Sequence, residues 1–138
     1  MSLEAIRVDI ATAVATAASS FSTYLLVVEY PNRELIDLAN QVNPFIRLQI
    51  KILDGEQADL SDTPMHRFSG QIHLACATQV GQGVIKVNQA LDHMYKLLQR
   101  RKLGTYVRTH MSVPAPTLEH NGWNYYPVII PFWADIPT

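Results

Sequence analysis

The stretch Gly122-Trp123-Asn124-Tyr125-Tyr126-Pro127-Val128-Ile129-Ile130-Pro131-Phe132-Trp133 decides the fold. β-Branched and aromatic residues dominate it and a glycine precedes it, so it reads as a β-strand. It also holds two prolines, which have no N–H to give to a strand ladder. Alternate residues of a strand point their backbone groups to alternate edges. Pro127 and Pro131 therefore remove donors from one edge, and the other edge keeps every donor. The expectation is a strand paired fully on one side and poorly on the other, that is, an outer strand shielded from stray pairing.

The side chains of this strand divide into two apolar faces. Trp123, Tyr125, Ile129 and Trp133 lie on one, and Tyr126, Val128, Ile130 and Phe132 on the other. A strand apolar on both sides needs cover on both sides. Helices can cover one face. The second requires another sheet layer from the same chain, as in a sandwich or barrel, or another subunit. Left bare, it would form a patch of a kind that soluble monomers rarely tolerate. Trp123, Tyr125, Ile129 and Trp133 are thus the candidate subunit interface.

Upstream, Phe45–Leu53 alternates strictly: Ile46, Leu48, Ile50 and Ile52 against Arg47, Gln49 and Lys51. Met65–Thr78 alternates too, and the pair reads as a hairpin. Between them lies "DGEQADLSDTP", with Asp54, Glu56, Asp59 and Asp62 and no basic residue, expected to be a mobile acidic loop over 54–64. Helical spacing marks Ser2–Ala18, through Leu3, Ile6, Ile10, Ala13, Val14 and Ala17. It also marks Val84–Lys102, through Val84, Val87, Leu91, Met94, Tyr95 and Leu98, with Arg100-Arg101-Lys102 in the last turn and Gly104 as the stop. Tyr24–Tyr30 and Thr105–Val113 read as further strands, "PAPTLEHNG" as a turn region, and Asn32–Asn43 as a short helix or an ordered loop. The order α-β-β-β-α-β-β predicts an α+β domain over 1–138. Its sheet is mostly antiparallel, with about five strands and two helices packed on it.

At 138 residues and 48% apolar, the chain can build a core without disulfides or metal. Its net charge of −1 lacks the basic excess of a nucleic-acid binder. Cys76 is the single cysteine, so no internal disulfide forms. Neither a signal peptide nor a membrane-spanning run is visible, and a soluble intracellular protein is expected.

The chemistry-bearing residues do not converge. His66, His73, His93, His110 and His120 form no metal-ligand spacing, with His66 and His73 on opposite faces of one strand and His93 expected at a solvent-facing helix position. Gly81-x-Gly83-x-x-Lys86 follows a strand and opens a helix, where backbone N–H groups could cradle an anion. It lacks the third glycine and the following acidic residue of a dinucleotide fingerprint. Cys76 sits on the apolar face of its strand, as a buried inert thiol does. The acidic stretch lacks calcium-loop spacing. The expectation is no enzyme, no cofactor and no metal. A small-ligand-binding or regulatory module using the Gly81–Gly83 turn is the alternative.

Four stretches together resemble the tail terminator family of long-tailed bacteriophages, which includes the lambda-like minor tail proteins. They are the opening "LEAIRVDI"; the hairpin "PFIRLQI" with "HRFSGQIHLACAT"; "GQGVIKVNQALDHMYKLL"; and "GWNYYPVIIPFWA". The resemblance implies a homohexameric ring that caps the tail tube, stops its polymerisation and offers the surface on which the head docks. The partners implied are other copies of the chain, the tail tube protein and a head-completion or neck protein. DNA would pass through without specific binding, and no membrane is involved. The protein would be found in the virion, and in the host cytoplasm during assembly. In such a ring Asp54, Glu56, Asp59 and Asp62 would meet the tube or line the DNA passage, where like charge repels phosphate. Another neck or tail-tube assembly protein shares the need to form rings.

Overall fold

Apolar residues at helical spacing produce the first element. In α1 (Leu3–Ser19), Ile6, Ile10, Val14, Ala17 and Ala18 are buried, while Leu3 remains half exposed. The computed structural model describes residues 3–30, 43–57, 65–81, 84–120 and 122–137. Along them follow β1 (Val28–Glu29), β2 (Phe45–Gln57), β3 (Met65–Gln79), α2 (Ile85–Leu98), β4 (Lys102–Leu103), β5 (Val107–Thr109), β6 (Val113–Pro114), β7 (Leu118–His120) and β8 (Trp123–Pro137).

Among the described residues the architecture is α+β, with two helices and one curled, mixed sheet of eight strands. The strand path is β1-β2-β3-β8-β5-β4, and β6 and β7 also pair with β8. Among the described residues only β1 is parallel to its neighbour, β2; every other pairing is antiparallel. The sheet thus has more strands than the five or so expected, because short pieces were invisible to periodicity. Tyr24–Tyr30 contributes only Val28–Glu29. Thr105–Val113 divides into β5 and the start of β6, and "PAPTLEHNG" contains β7. Asn32–Asn43 lies almost wholly outside the described residues.

The strand β8 is central, not outer. Its 15 residues all pair with β3 on one side, and on the other they meet β7, β6 and β5 in turn. The proline argument holds at the level of edges. The carbonyls of Pro131 and Pro127 accept from His110 (2.8 Å) and Ala115 (3.1 Å), so these residues face the interrupted side, and the β3 side keeps its donors. Interruption, rather than an open edge, accommodates the prolines.

One face of the three long strands is a ladder of apolar rows: Ile46–Cys76–Tyr126, Leu48–Leu74–Val128 and Ile50–Ile72–Ile130. Val87, Ala90, Leu91, Met94 and Leu98 of α2 and the buried residues of α1 join them in the main core. Each fully buried Leu or Ile there contributes about 1.5–3 kcal/mol. The lone thiol of Cys76 is fully buried in this layer, and burial pushes its pKa up to about 12.

Two side chains lock the helices to the sheet. Asp9 of α1 accepts from the backbone N–H of Thr105 (3.1 Å) and Tyr106 (2.9 Å), satisfying the turn between β4 and β5. Buried Thr109 donates its hydroxyl to the Leu98 carbonyl (2.5 Å) and accepts from the Arg101 N–H (2.9 Å) at the end of α2. That helix stops at Leu98, not Lys102. Arg100 takes a left-handed φ of 54°, and the chain turns directly into β4, so Arg100, Arg101 and Lys102 lie beyond the last turn. Gly104 stands in the following turn, at φ 64°.

The strand β2 also outruns its expected end. A bulge between Ile52 and Asp54 shifts the register, after which Asp54 pairs with Ser69 and Glu56 with Arg67. Asp54 and Glu56 therefore belong to the strand, not to a loop over 54–64. Asp59 and Asp62 lie outside the described residues. No described helix is long and apolar enough to cross a membrane.

Candidate functional site

The sheet face opposite the helices carries the candidate interface. Its rows are Phe45–Ala77–Tyr125, Arg47–Ala75–Pro127, Gln49–His73–Ile129 and Lys51–Gln71–Pro131, followed beyond the bulge by Ser69–Trp133 and Arg67–Asp135. Alternation sends the polar members of β2 and β3 here, while β8 contributes apolar residues to both faces.

At one end this face is closed by the chain itself. Phe45, Ala77, Trp123 and Tyr125 form a second buried cluster, with Phe45 edge-on to Trp123 at 5.3 Å between centroids and to Tyr125 at 6.3 Å. Trp123 and Tyr125 are each only 4% exposed. They are core residues and offer no surface to a partner, a correction to half of the expected interface set. Periodicity assigned the face rightly but could not show that Phe45 would fill in beside them. Ile129 and Trp133 remain half-buried. Trp133 stacks against His110 at 4.5 Å, with ring planes 33° apart.

Beside the second cluster lies a groove of about 640 Å³. Arg47, Gln49 and Lys51 of β2 form one wall. His73, Ala75, Pro127 and Ile129 lie along the floor, and the segment from Ala115 to His120 forms the opposite rim. Arg47 is fixed in place: Nε donates to Glu29 Oε1 (3.2 Å), Nη2 to the Tyr125 hydroxyl (3.3 Å), and the guanidinium lies 4.7 Å from the Tyr125 ring centroid. Glu29 is buried, so Arg47 is the partner that keeps its charge tolerable there. His73 Nε2 lies 2.9 Å from Gln71 Oε1, and partial burial, then the nearby Lys51 charge, hold its pKa below the ordinary imidazole value. The neutral imidazole leaves Lys51 and Arg47 as the cations of the groove.

Further along, Arg67 donates Nε and Nη2 to the two carboxylate oxygens of Asp135 (2.7 and 2.9 Å). That bond, with help from Arg108, holds the Asp135 carboxyl below its ordinary pKa.

Among the described residues the other sequence candidates lie apart from this groove or pack within the fold. His66 and His73 do fall on opposite faces of β3. His93 is not solvent-facing: its Nε2 donates to the Ala17 carbonyl (2.9 Å) and lies 2.8 Å from Ser20 Oγ, with Phe21 edge-on at 5.2 Å, so it fastens α2 to the end of α1. Gly81 adopts φ 93° in the turn after β3, but residues 82 and 83 lie outside the described set. Lys86 instead extends over the Tyr24 ring at 5.8 Å and donates to Asn43 Oδ1 at 3.4 Å. Among the described residues no cluster of His, Cys, Asp or Glu is arranged to hold a metal ion.

No family model matches this chain, and no curated protein does. A solved structure that bears no functional description is similar over 97% of this chain and 96% of its own, with a TM-score of 0.67 and 15% identity. At that identity the likeness shows the fold alone.

Proposed function

We propose that this protein is a structural tail terminator of a long-tailed phage, a ring of identical subunits that caps the tail tube and presents a docking surface to the head. The observation carrying this reading is the outer face of β8. Its inner face is sealed by helices, yet Pro127, Ile129, Pro131 and Trp133 on the outer face remain only half covered. An apolar stripe rimmed by polar residues at that position is what a protein–protein contact requires. The four sequence stretches that resemble terminators add to it, and they fall on α1, the β2–β3 hairpin, α2 and β8, the elements that build the fold.

Sedimentation velocity across concentration, with and without purified tail tubes, tests the proposal, with electron microscopy of the products. Short closed rings, free or at tube ends, support it. Long tubes would assign the chain to the tube itself. A monomer at every concentration and beside every tube would end the reading.

A further inference from the structure

The outer sheet face is hollow at one place, and small side chains make the hollow. In the row Arg47–Ala75–Pro127 the middle residue carries only a methyl group and the last a compact ring. The rows on either side hold larger groups, Tyr125 at one end and the His73–Ile129 pair at the other. The resulting groove of about 640 Å³ lies within the range of about 300–1,000 Å³ usual for small-molecule sites. Its apolar floor is short. Pro127 and Ile129 are two residues apart, roughly 7 Å of strand, and the Lys51–Pro131 row lies another 7 Å on. That length suits a medium-chain or single-ring body rather than a long extended peptide.

The charges of the groove are arranged on opposite sides. The Arg47 guanidinium is already matched by the buried Glu29 carboxylate. Lys51 is exposed and forms no ion pair among the described residues. Its charge reaches into the groove, since after burial it is what lowers the proton affinity of His73. Gln49, between the two cations on the same wall, offers carboxamide N–H groups. Across from them Glu119 stands on the rim. One unmatched cation therefore faces one carboxylate across an apolar floor. A dianionic phosphate ester would bring more charge than Lys51 can match and would be repelled by Glu119. A singly charged group held at the β2 wall meets attraction and keeps its distance from that rim.

We propose that this groove binds a small monocarboxylate with an apolar body, its carboxylate at Lys51 and Gln49 and its body on Ala75, Pro127 and Ile129. Such a ligand covers half of the outer stripe of β8 and leaves Pro131 and Trp133 to a subunit contact. The inference thus goes beyond the assembly reading and does not depend on it.

Isothermal titration of the full chain with octanoate and with phenylacetate tests it. Octanamide serves as the uncharged body and inorganic phosphate as the bare anion. One saturable site per chain is expected for each carboxylate, with octanamide and phosphate at least tenfold weaker. Lys51→Met keeps the apolar stem and removes the charge. It should weaken octanoate about tenfold, the loss of a hydrogen bond to a charged group, and leave octanamide unchanged. A fold defect cannot give that split. Lys96→Met, at an exposed position of α2, should change neither. Octanamide or phosphate bound as tightly as octanoate would overturn the inference. So would octanoate binding that Lys51→Met leaves intact, or no saturable binding of either carboxylate at millimolar concentration. None of these outcomes bears on ring formation, which sedimentation reads separately.

Discussion

The ring of Phe132 lies across Gly70 on the helix-facing side of the sheet. A Cβ at position 70 would stand 2.9 Å from the Phe132 ring atoms and 2.1 Å from the Lys51 carbonyl oxygen on β2. Phe132 is 1% exposed, and Gly70 pairs with both Ile52 and Phe132. The aromatic thus fills the volume that glycine leaves empty on the central strand. Gly70→Ala has no room to relax, because one obstruction is backbone. It should destabilise by about 3 kcal/mol or more, at the top of the overpacking range. Chemical denaturation would show a lower midpoint at unchanged slope, and a variant as stable as the parent would mean that the strands separate freely here.

Asp9 should matter for stability despite lying on a helix exterior. Its carboxylate accepts two backbone N–H groups from the β4–β5 turn, and Gly104 leaves the space it occupies. Asp9→Ala orphans both donors and should cost about 1–3 kcal/mol. Asp9→Asn, which keeps one acceptor oxygen, should cost less. Thermal melts of the two variants check the order.

The Arg67–Asp135 pair gives a small pH-dependent term. The folded pKa of Asp135 is depressed, chiefly by Arg67, so its stabilisation is present above the ordinary carboxylate pKa. It is lost as pH falls through the lower folded value. Both side chains are about a third exposed or more, so solvent screening keeps the pair below about 1 kcal/mol. Asp135→Asn should lower stability slightly at pH 7, and the difference from the parent should vanish in acid. A difference that grows toward low pH would contradict the sign.

Cys76 should resist thiol reagents in the native protein. Burial in the core raises its pKa to about 12, so at neutral pH almost no thiolate exists and none is accessible. Labelling should be negligible in buffer and complete in denaturant, with the native rate tracking unfolding. Fast native labelling would mean that β3 opens locally.

What the sequence made legible was whatever obeys a single period over a long run. The alternation in β2, β3 and β8 and the helical spacing of Ile6, Ile10 and Val14 were read directly, and the two-faced apolar character of β8 led to the outer surface. What it hid was set by tertiary context. The strands β4 to β7 run two or three residues each, too short for any period to register; β5, β6 and β7 exist because the interrupted side of β8 offers them partners, and β4 because β5 does. The end of α2 was misplaced because basic residues after Leu98 look like a favourable last turn, whereas Thr109 and the left-handed Arg100 stop the helix sooner. His93 was expected to face solvent and Asp9 carried no signal of its role, since nothing local marks a bond to a chain segment dozens of positions away. Trp123 and Tyr125 were assigned the correct face and the wrong partner, Phe45 of the same chain rather than a second subunit.

That last distinction gives a paired prediction on β8. Trp123 is packed edge-on against Phe45 and is almost fully buried, so Trp123→Ala removes a large ring from a cluster of only four buried residues and should cost about 3–5 kcal/mol. Any loss of rings in that variant would follow from lost folding. Ile129, on the same face six residues on, is half-buried on the groove floor, and a polar side chain there can still reach water. Ile129→Asp should therefore cost the monomer little, within about 1.5 kcal/mol, while placing an uncompensated charge in any interface that covers the stripe. The expected pattern is a monomer that melts near the parent temperature but fails to form rings, against a Trp123→Ala protein that melts far lower. If Ile129→Asp forms rings as readily as the parent, the outer stripe of β8 faces solvent in the assembly and the contact surface must be sought elsewhere on the molecule. If instead Ile129→Asp unfolds the monomer, the stripe belongs to the core of the single chain, and the physical case for a covering partner fails with it.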